Sequence, residues 1–314
     1  MGSGAANLIQ WPGFSRFVAV EPQFIGHNWT SRKRVRHTEG LNRPGPLFGL
    51  PATLLVAAAL HAHPAIGIVA DTAGNIFYSD NVHVWCIARD GTLSIAVANV
   101  HTHELWLDSD GNLYGEHLWY EGERTNRWGH RVWKRSPDGD IVDIIAARHG
   151  FREDYGDFSF VRCADGWFYW IGRERSTTAV KRARPGLPAV TFVQLGNMRP
   201  GWLGITSTCD LLFANRGVVH RISPRGKISA LHSGALGEVM GMWADQGGNV
   251  YAALPEQRRV VRIASDGAVS TAATTSPPWR PSSGLVTPGG VLWLLEFDSA
   301  NRQRARRHSW RRGG

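Results

Sequence analysis

Apolar and polar positions alternate in short runs along most of this chain, and each run stops at a turn rich in Asp, Gly and Asn. The clearest case is Glu104–His117, where Leu105, Trp106 and Leu107 lead into Asp108-Ser109-Asp110-Gly111-Asn112 and then into Leu113 and Tyr114. Two short antiparallel strands around a tight turn have this signature. The string also occurs at Gly67–Asp80, and in looser form at Cys163–Trp170, Thr208–Asn215, Trp243–Tyr251 and Thr287–Leu294. Its turn position falls at Gly74, Gly111, Gly166, Cys209, Gly248 and Gly290. A second hairpin follows most units: His83–Val97, Arg131–Ile145, Val218–Ala230 and Val260–Ser270. The counterpart in the third unit, Ala179–Val193, is degenerate, with Pro185 and Pro188 at its turn. Four strands in every stretch of roughly 40 residues, repeated around the chain, is how a β-propeller reads. The pattern predicts an all-β, six-bladed β-propeller of four-stranded antiparallel blades over residues 51–314.

Residues 1–50 do not match the repeat and read as an irregular N-terminal extension. The sixth unit, Ser282–Trp310, stops one strand short, and an open ring would leave strand edges unpaired. The apolar segment Thr53–Ala58 stands before the first unit as the outermost strands stand before later units, so it is assigned as the N-terminal strand that completes the last blade. This assignment also accounts for the longer run Leu47–Leu60. That run lies too deep for a signal peptide, is broken by Gly49 and Pro51, and is too short to span a membrane. A cytoplasmic rather than exported protein without a transmembrane segment is expected.

Composition narrows the classes. With 43% hydrophobic residues and 14 Trp among 314, the chain has ample material for a packed core, which excludes a disordered protein. The net charge of +9 is carried almost entirely by Arg, concentrated in Arg32–Arg36 and Arg302–Arg312. No recognition helix, stacking sheet or zinc finger accompanies it, so nucleic acid is not the expected partner. The three cysteines, Cys86, Cys163 and Cys209, form no CxxC and leave an odd count. They read as small buried strand residues, with neither a disulfide framework nor a structural zinc site.

The turns inside each hairpin are short, whereas the connections on the other face are long: residues 117–130, 147–157, 195–201 and 274–283. Insertions gathered on one face mark the binding face of a repeat protein. There the inner strand pairs end at Asp80, His117, Gly172, Asn215, Leu254 and Glu296. His103 enters the ring on the strand paired with that of His117, so the two are expected to face each other with Glu116 beside them. His103, His117 and Glu116 are the candidate catalytic residues. His103, His117, Asp80, Asn215 and Glu296 are the candidate ligands of one divalent cation, Ca, Mg or Zn. His61, His101, His149 and His232 follow the outermost strands and read as a repeated structural feature, with His101-Thr102-His103 the exception. Trp119 through His130 suits a lid over a pocket. No phosphate loop, nucleophile elbow or HExxH motif occurs.

From Ala52 to Trp310 the units resemble the NHL-repeat propellers and the wider group of gluconolactonases, strictosidine-synthase-like proteins and streptogramin lyases. The repeated Asp-x-x-Gly-Asn-(Leu/Ile/Val)-(Tyr/Phe) turns carry the resemblance. Leu292-Trp293-Leu294-Leu295-Glu296 with Asn301 is similar to the streptogramin-lyase repeat, which carries over Glu296 alone. The resemblance implies one axial divalent cation, a small-molecule substrate, and lactone hydrolysis or eliminative ring opening. Pro64-Ala65-Ile66-Gly67 lacks the Glu of the gluconolactonase-like members, and their Pro-Asn-Gly motif is absent. The expected function is a metal-assisted hydrolase, lactonase-like, or a lyase. The alternative is a non-catalytic propeller that binds a protein or carbohydrate partner.

Overall fold

The repeated turn explains its own residue types. Asp108 accepts hydrogen bonds from the Asn112 backbone N–H (2.9 Å), the Asn112 side-chain amide (2.9 Å) and the Tyr114 hydroxyl (2.8 Å). Asp245 does the same with Asn249 and Tyr251, and Asp71 holds Asn75 through backbone and side chain. The glycine between them turns the chain at positive φ, +79° at Gly248, where a Cβ is disfavoured. Asp-x-x-Gly-Asn-x-Tyr is thus a self-satisfying hairpin turn, and the motif reads as such in the sequence.

The computed structural model describes residues 64–120, 128–149, 160–174, 177–184 and 187–308. The extension of residues 1–50, the boundary at residue 51, the proposed closing strand Thr53–Ala58 and His61 lie outside them. The first blade comprises β1 (Ile68–Ala70), β2 (Ile76–Ser79), β3 (Val84–Ile87) and β4 (Leu93–Val97). The second holds β5 (Leu105–Leu107), β6 (Leu113–Tyr120), β7 (Trp128–Arg135) and β8 (Ile141–His149), and the third β9 (Phe160–Arg162), β10 (Phe168–Glu174), β11 (Thr177–Ala183) and β12 (Val190–Gly196). The fourth holds β13 (Leu203–Ile205), β14 (Leu211–Asn215), β15 (Val218–Ile222) and β16 (Ile228–Ala230). The fifth holds β17 (Met242–Ala244), β18 (Val250–Leu254), β19 (Arg259–Ile263) and β20 (Val269–Thr274), and the sixth β21 (Arg280–Val286), β22 (Leu292–Phe297) and β23 (Gln303–His308). Every sheet is an antiparallel meander in chain order. Among the described residues five blades have four strands and the last has three. One 3-10 turn, Pro255–Gln257, interrupts the β structure there, and no described helix is long and apolar enough to cross a membrane.

Strands of period two bury both faces, and this builds the ring. Leu211 and Phe213 pack with Tyr169, Ile171 and Leu203 between blades 3 and 4, while the intervening Leu212 packs with Met242 and Leu254 between blades 4 and 5. Trp133 fills the junction of blades 1 and 2 beside Phe77 and Val97. Trp106 and Tyr114 meet Trp170 between blades 2 and 3. Tyr251 meets Leu292 and Leu294 between blades 5 and 6. The circle is completed where Leu295 of blade 6 packs on Ala65, Ile68, Ile76 and Tyr78 of blade 1. Apolar packing between the first and last blades therefore closes the ring within the described residues.

Two expectations need correction. Cys163 and Cys209 are joined in a disulfide that links the inner hairpin turns of blades 3 and 4, and Cys86 alone is free. The cysteine spacing hid this pair because the bridge spans one repeat, with a separation of 46 residues. The stretch from His117 to His130 is not a loop throughout. β6 and β7 run eight residues each and pair from Leu113↔Arg135 to Tyr120↔Trp128, so His117 lies inside a strand; residues 121–127 lie outside the described residues.

Candidate functional site

The long hairpin of blade 2 decides which side chains meet. Successive residues of a strand point to opposite faces, and directly paired residues share a face. Glu116 pairs with Val132, and Leu118 pairs with His130. Glu116 and His130 therefore sit on one face, while His117, opposite Arg131, sits on the other. The carboxylate of Glu116 lies between two imidazoles: Oε1 is 3.5 Å from His103 Nδ1, and Oε2 is 3.5 Å from His130 Nε2. The other ring nitrogen of His103, Nε2, is 3.1 Å from His101 Nε2, with the rings edge to face at 4.6 Å. His101, His103, Glu116 and His130 form one continuous polar array. The last three are buried, whereas His101 is partly exposed.

Backbone contacts hold this array rigidly. Thr102, between the two histidines, is fully buried; its hydroxyl donates to the Glu116 carbonyl, and its own carbonyl accepts from Ser79 Oγ. Trp133 Nε1 also donates to the Glu116 carbonyl, at 3.0 Å. The Trp133 ring lies against Gly115, where an added Cβ would come within 2.3 Å of Cζ2. The Trp202 ring of blade 4 stands 6.5 Å from His103.

The electrostatics follow from this burial. Burial alone raises the Glu116 carboxyl, but the His103 and His130 imidazoles outweigh it and hold the group below the usual carboxylate range. Burial, and then the adjacent His103, push the His101 imidazole down to about 4. Burial followed by the Arg131 guanidinium also lowers His117.

The residues singled out in the sequence are distributed as follows. His103 and Glu116 are brought together. His117 is not brought into their contact: its Nδ1 accepts the His101 backbone N–H at 2.9 Å, and its ring stacks on Trp119 at 5.3 Å. An imidazole accepting at Nδ1 carries its proton on Nε2, so neither nitrogen offers a lone pair to a cation. Asp80 accepts from the Val82 and His83 backbone N–H groups and from Trp85 Nε1. Asn215 accepts from the Arg199 N–H. Glu296, fully buried in blade 6, is paired with Arg304 at 2.8 Å, with His308 Nε2 3.5 Å away. Those two partners hold it below the usual range against the effect of burial. Each of these groups is committed to its own blade, and the described residues do not gather them around one point. Among the described residues, His103, His117, Asp80 and Glu296 do not form a group of three or more closely spaced metal-ligating donors.

His130 is the member of the array absent from the sequence candidates, whereas His101 is set apart there with His103 but not given a catalytic role. The signal for His130 lies in the alternation of β6 and β7, which places residue 130 two register positions from 116 on the same face. His232 accepts the Val219 N–H and contacts the Ser233 carbonyl, as expected of a structural strand-end histidine. His83 serves Asn99 in the same way.

No family model matches the chain, and no curated protein matches it. Solved structures do. A gluconolactonase from Xanthomonas campestris is 14% identical, covering 78% of this chain and 87% of that one, with a TM-score of 0.53. A calcium-binding protein, regucalcin, from Agrobacterium tumefaciens is 13% identical over 74% and 81%, with a TM-score of 0.52. A streptogramin B lyase is 12% identical over 78% and 83%, with a TM-score of 0.50. At such identities the likeness establishes the fold: the chain is a six-bladed β-propeller of the architecture those proteins share.

Proposed function

We propose that this propeller is an enzyme, a hydrolase or lyase acting on a small molecule beside His101, with a two-imidazole relay as its acid–base machinery. The observation that carries the reading is the placement of His103 between the ionised Glu116 and the ring of His101. With Glu116 facing Nδ1, His103 holds its proton there and presents the Nε2 lone pair to His101. His101 then donates Nε2–H to His103 and keeps a lone pair on Nδ1. As the partly exposed member, His101 takes a proton from substrate or from an attacking water at Nδ1, while its Nε2 proton passes to His103. The imidazolium formed on His103 is stabilised by Glu116, as a carboxylate stabilises the base in other catalytic triads. Burial keeps the His101 imidazole neutral near neutral pH, so its Nδ1 lone pair is free to accept. Glu116 is a positioning residue in this scheme, and His117 is another, since it fixes the backbone of His101. No step runs through a cation.

Fold neighbours that are named for lactone and streptogramin chemistry support testing that substrate class first. The experiment is a screen of small lactones, esters and cyclic depsipeptides with wild type, His103→Ala, His101→Ala and Glu116→Gln. Turnover of at least one compound by wild type is expected, lost by about 10²–10⁴-fold in the His103 and His101 variants. Equal rates in His103→Ala and wild type would overturn the assignment. Ligand-induced stabilisation without turnover of any compound would establish a binding propeller instead.

A further inference from the structure

The inner turns of blades 3 and 4 carry a second cluster, at the opposite ends of the inner strands from His103. Cys163 opens the β9–β10 turn, its N–H bonded to the Trp167 carbonyl, and is buried. Asp165 stands exposed in the same turn, and Cys209 occupies the β13–β14 turn. Cys209 sits at φ +64°, the position where the other five blades place Gly74, Gly111, Gly166, Gly248 and Gly290. A left-handed conformation is disfavoured for an L-residue, a cost glycine avoids. What cysteine adds there is a sulfur directed at the neighbouring blade, with Cα atoms of the pair 5.4 Å apart. A carboxylate oxygen of Asp165 joins the two sulfurs, and the three donor atoms lie within 4.8 Å of one another. Among the described residues this is the group of three His, Cys, Asp or Glu donors that meets that spacing.

The structure assigns Cys163, Asp165 and Cys209, in the reduced protein, as a binding site for a thiophilic divalent cation such as Zn²⁺. Two thiolates on one tetrahedral cation stand about 3.8 Å apart, given metal–sulfur bonds of about 2.3 Å. Side-chain rotation of the opened pair reaches that separation from turns already in place. Asp165 supplies the third ligand and water the fourth. The site is gated by redox state. Reduction by two electrons breaks the S–S bond and leaves two thiols; each gives up its proton to solvent as its sulfur ligates the cation. With a phosphine reductant, the phosphorus takes the oxygen of one water, and the two hydrogens of that water go to the sulfurs. A buried thiolate at Cys163 is disfavoured by desolvation, and a bound cation compensates its charge. The disulfide and the cation are therefore alternative fasteners for the same blade junction.

The test uses the full chain and Co²⁺ as a spectroscopic stand-in. Thiol titration of the folded protein is expected to give one reactive group before phosphine treatment, Cys86, and three afterwards. A count that stays at one overturns the proposal, because the pair then does not open in the native state. In the reduced protein, Co²⁺ is expected to produce thiolate-to-cobalt charge-transfer absorption that saturates at one equivalent and is displaced by Zn²⁺. The oxidised protein should give none. Cys209→Gly, which restores the residue used by the other five turns and so keeps the fold, should abolish the absorption; Asp165→Asn should weaken binding about tenfold or more. Absence of the band in reduced wild type, or a band unchanged in Cys209→Gly, sinks the assignment.

Discussion

Glu116 is a buried carboxylate whose two oxygens each face an imidazole, and this arrangement makes the blade 2 array sensitive to acid. The His101 imidazole titrates near 4 in the folded protein and near 6.5 in an unfolded chain. Between those values the unfolded state binds the extra proton, so stability falls as pH drops from about 6.5 to about 4. Glu116 acts in the same direction: its folded value is depressed, so its contribution is present above the unfolded carboxylate pKa and is lost as pH falls through the folded one. Denaturant unfolding of wild type and His101→Gln between pH 7 and pH 4 should show a steeper loss in wild type, with His101 accounting for at most about 3 kcal/mol. Parallel pH profiles would show that His101 is not the group responsible. Alternation along β6 and β7 places His130 on the face of Glu116, but the contact between the His101 and His103 rings was not readable. His103 and His117 are matched by sequence count across the inner strand pair, yet their rings leave to different neighbours.

At the scale of the element, the Asp-x-x-Gly-Asn-x-Tyr turn and the Trp133–Gly115 contact are the features with measurable cost. Asp245→Ala removes the acceptor of three hydrogen bonds, from the Asn249 N–H, the Asn249 amide and the Tyr251 hydroxyl. It should lower stability by about 2 kcal/mol in urea or guanidinium unfolding. Gly115→Ala drives a methyl into the Trp133 ring and the Thr102 methyl, 2.3 and 2.9 Å away. Overpacking of a buried site costs about 1–3 kcal/mol. Because Trp133 and Thr102 both donate to the Glu116 carbonyl, this substitution should also reduce turnover without touching a catalytic side chain. A Gly115→Ala protein with wild-type stability and rate would show that the ring is free to retreat. The turn was legible because all its partners lie within six residues. The Trp133 contact was not, since it depends on a cross-strand approach that sequence spacing does not report.

For the whole molecule, the consequential feature is the three-stranded sixth blade. β23 has β22 on one side, and among the described residues nothing pairs with its other edge. The sequence assigns Thr53–Ala58 to that place. Deleting residues 1–60 should therefore expose a strand edge and produce aggregation, whereas deleting residues 1–45 should leave a monomer that melts close to wild type. A 1–60 deletion that stays monomeric and equally stable would show that the Leu295–Ile68–Tyr78 packing closes the ring without a further strand.

The fold was determined by short-range chemistry. Period-two burial and a turn that satisfies itself within a few residues are properties of local sequence, and six copies of such a unit, each apolar on both faces, have few ways to pack other than as a ring. The site was decided by tertiary structure. Glu116, His130, His103 and His101 meet because β6 extends past His117 to Tyr120, and because the entry segment of β5 brings His103 to that carboxylate and His101 to His103. The cross-blade pairing of Cys163 with Cys209 is of the same kind. Both depend on how far strands extend and how neighbouring blades are set against each other, and these are fixed by long-range packing rather than by residue spacing along the chain.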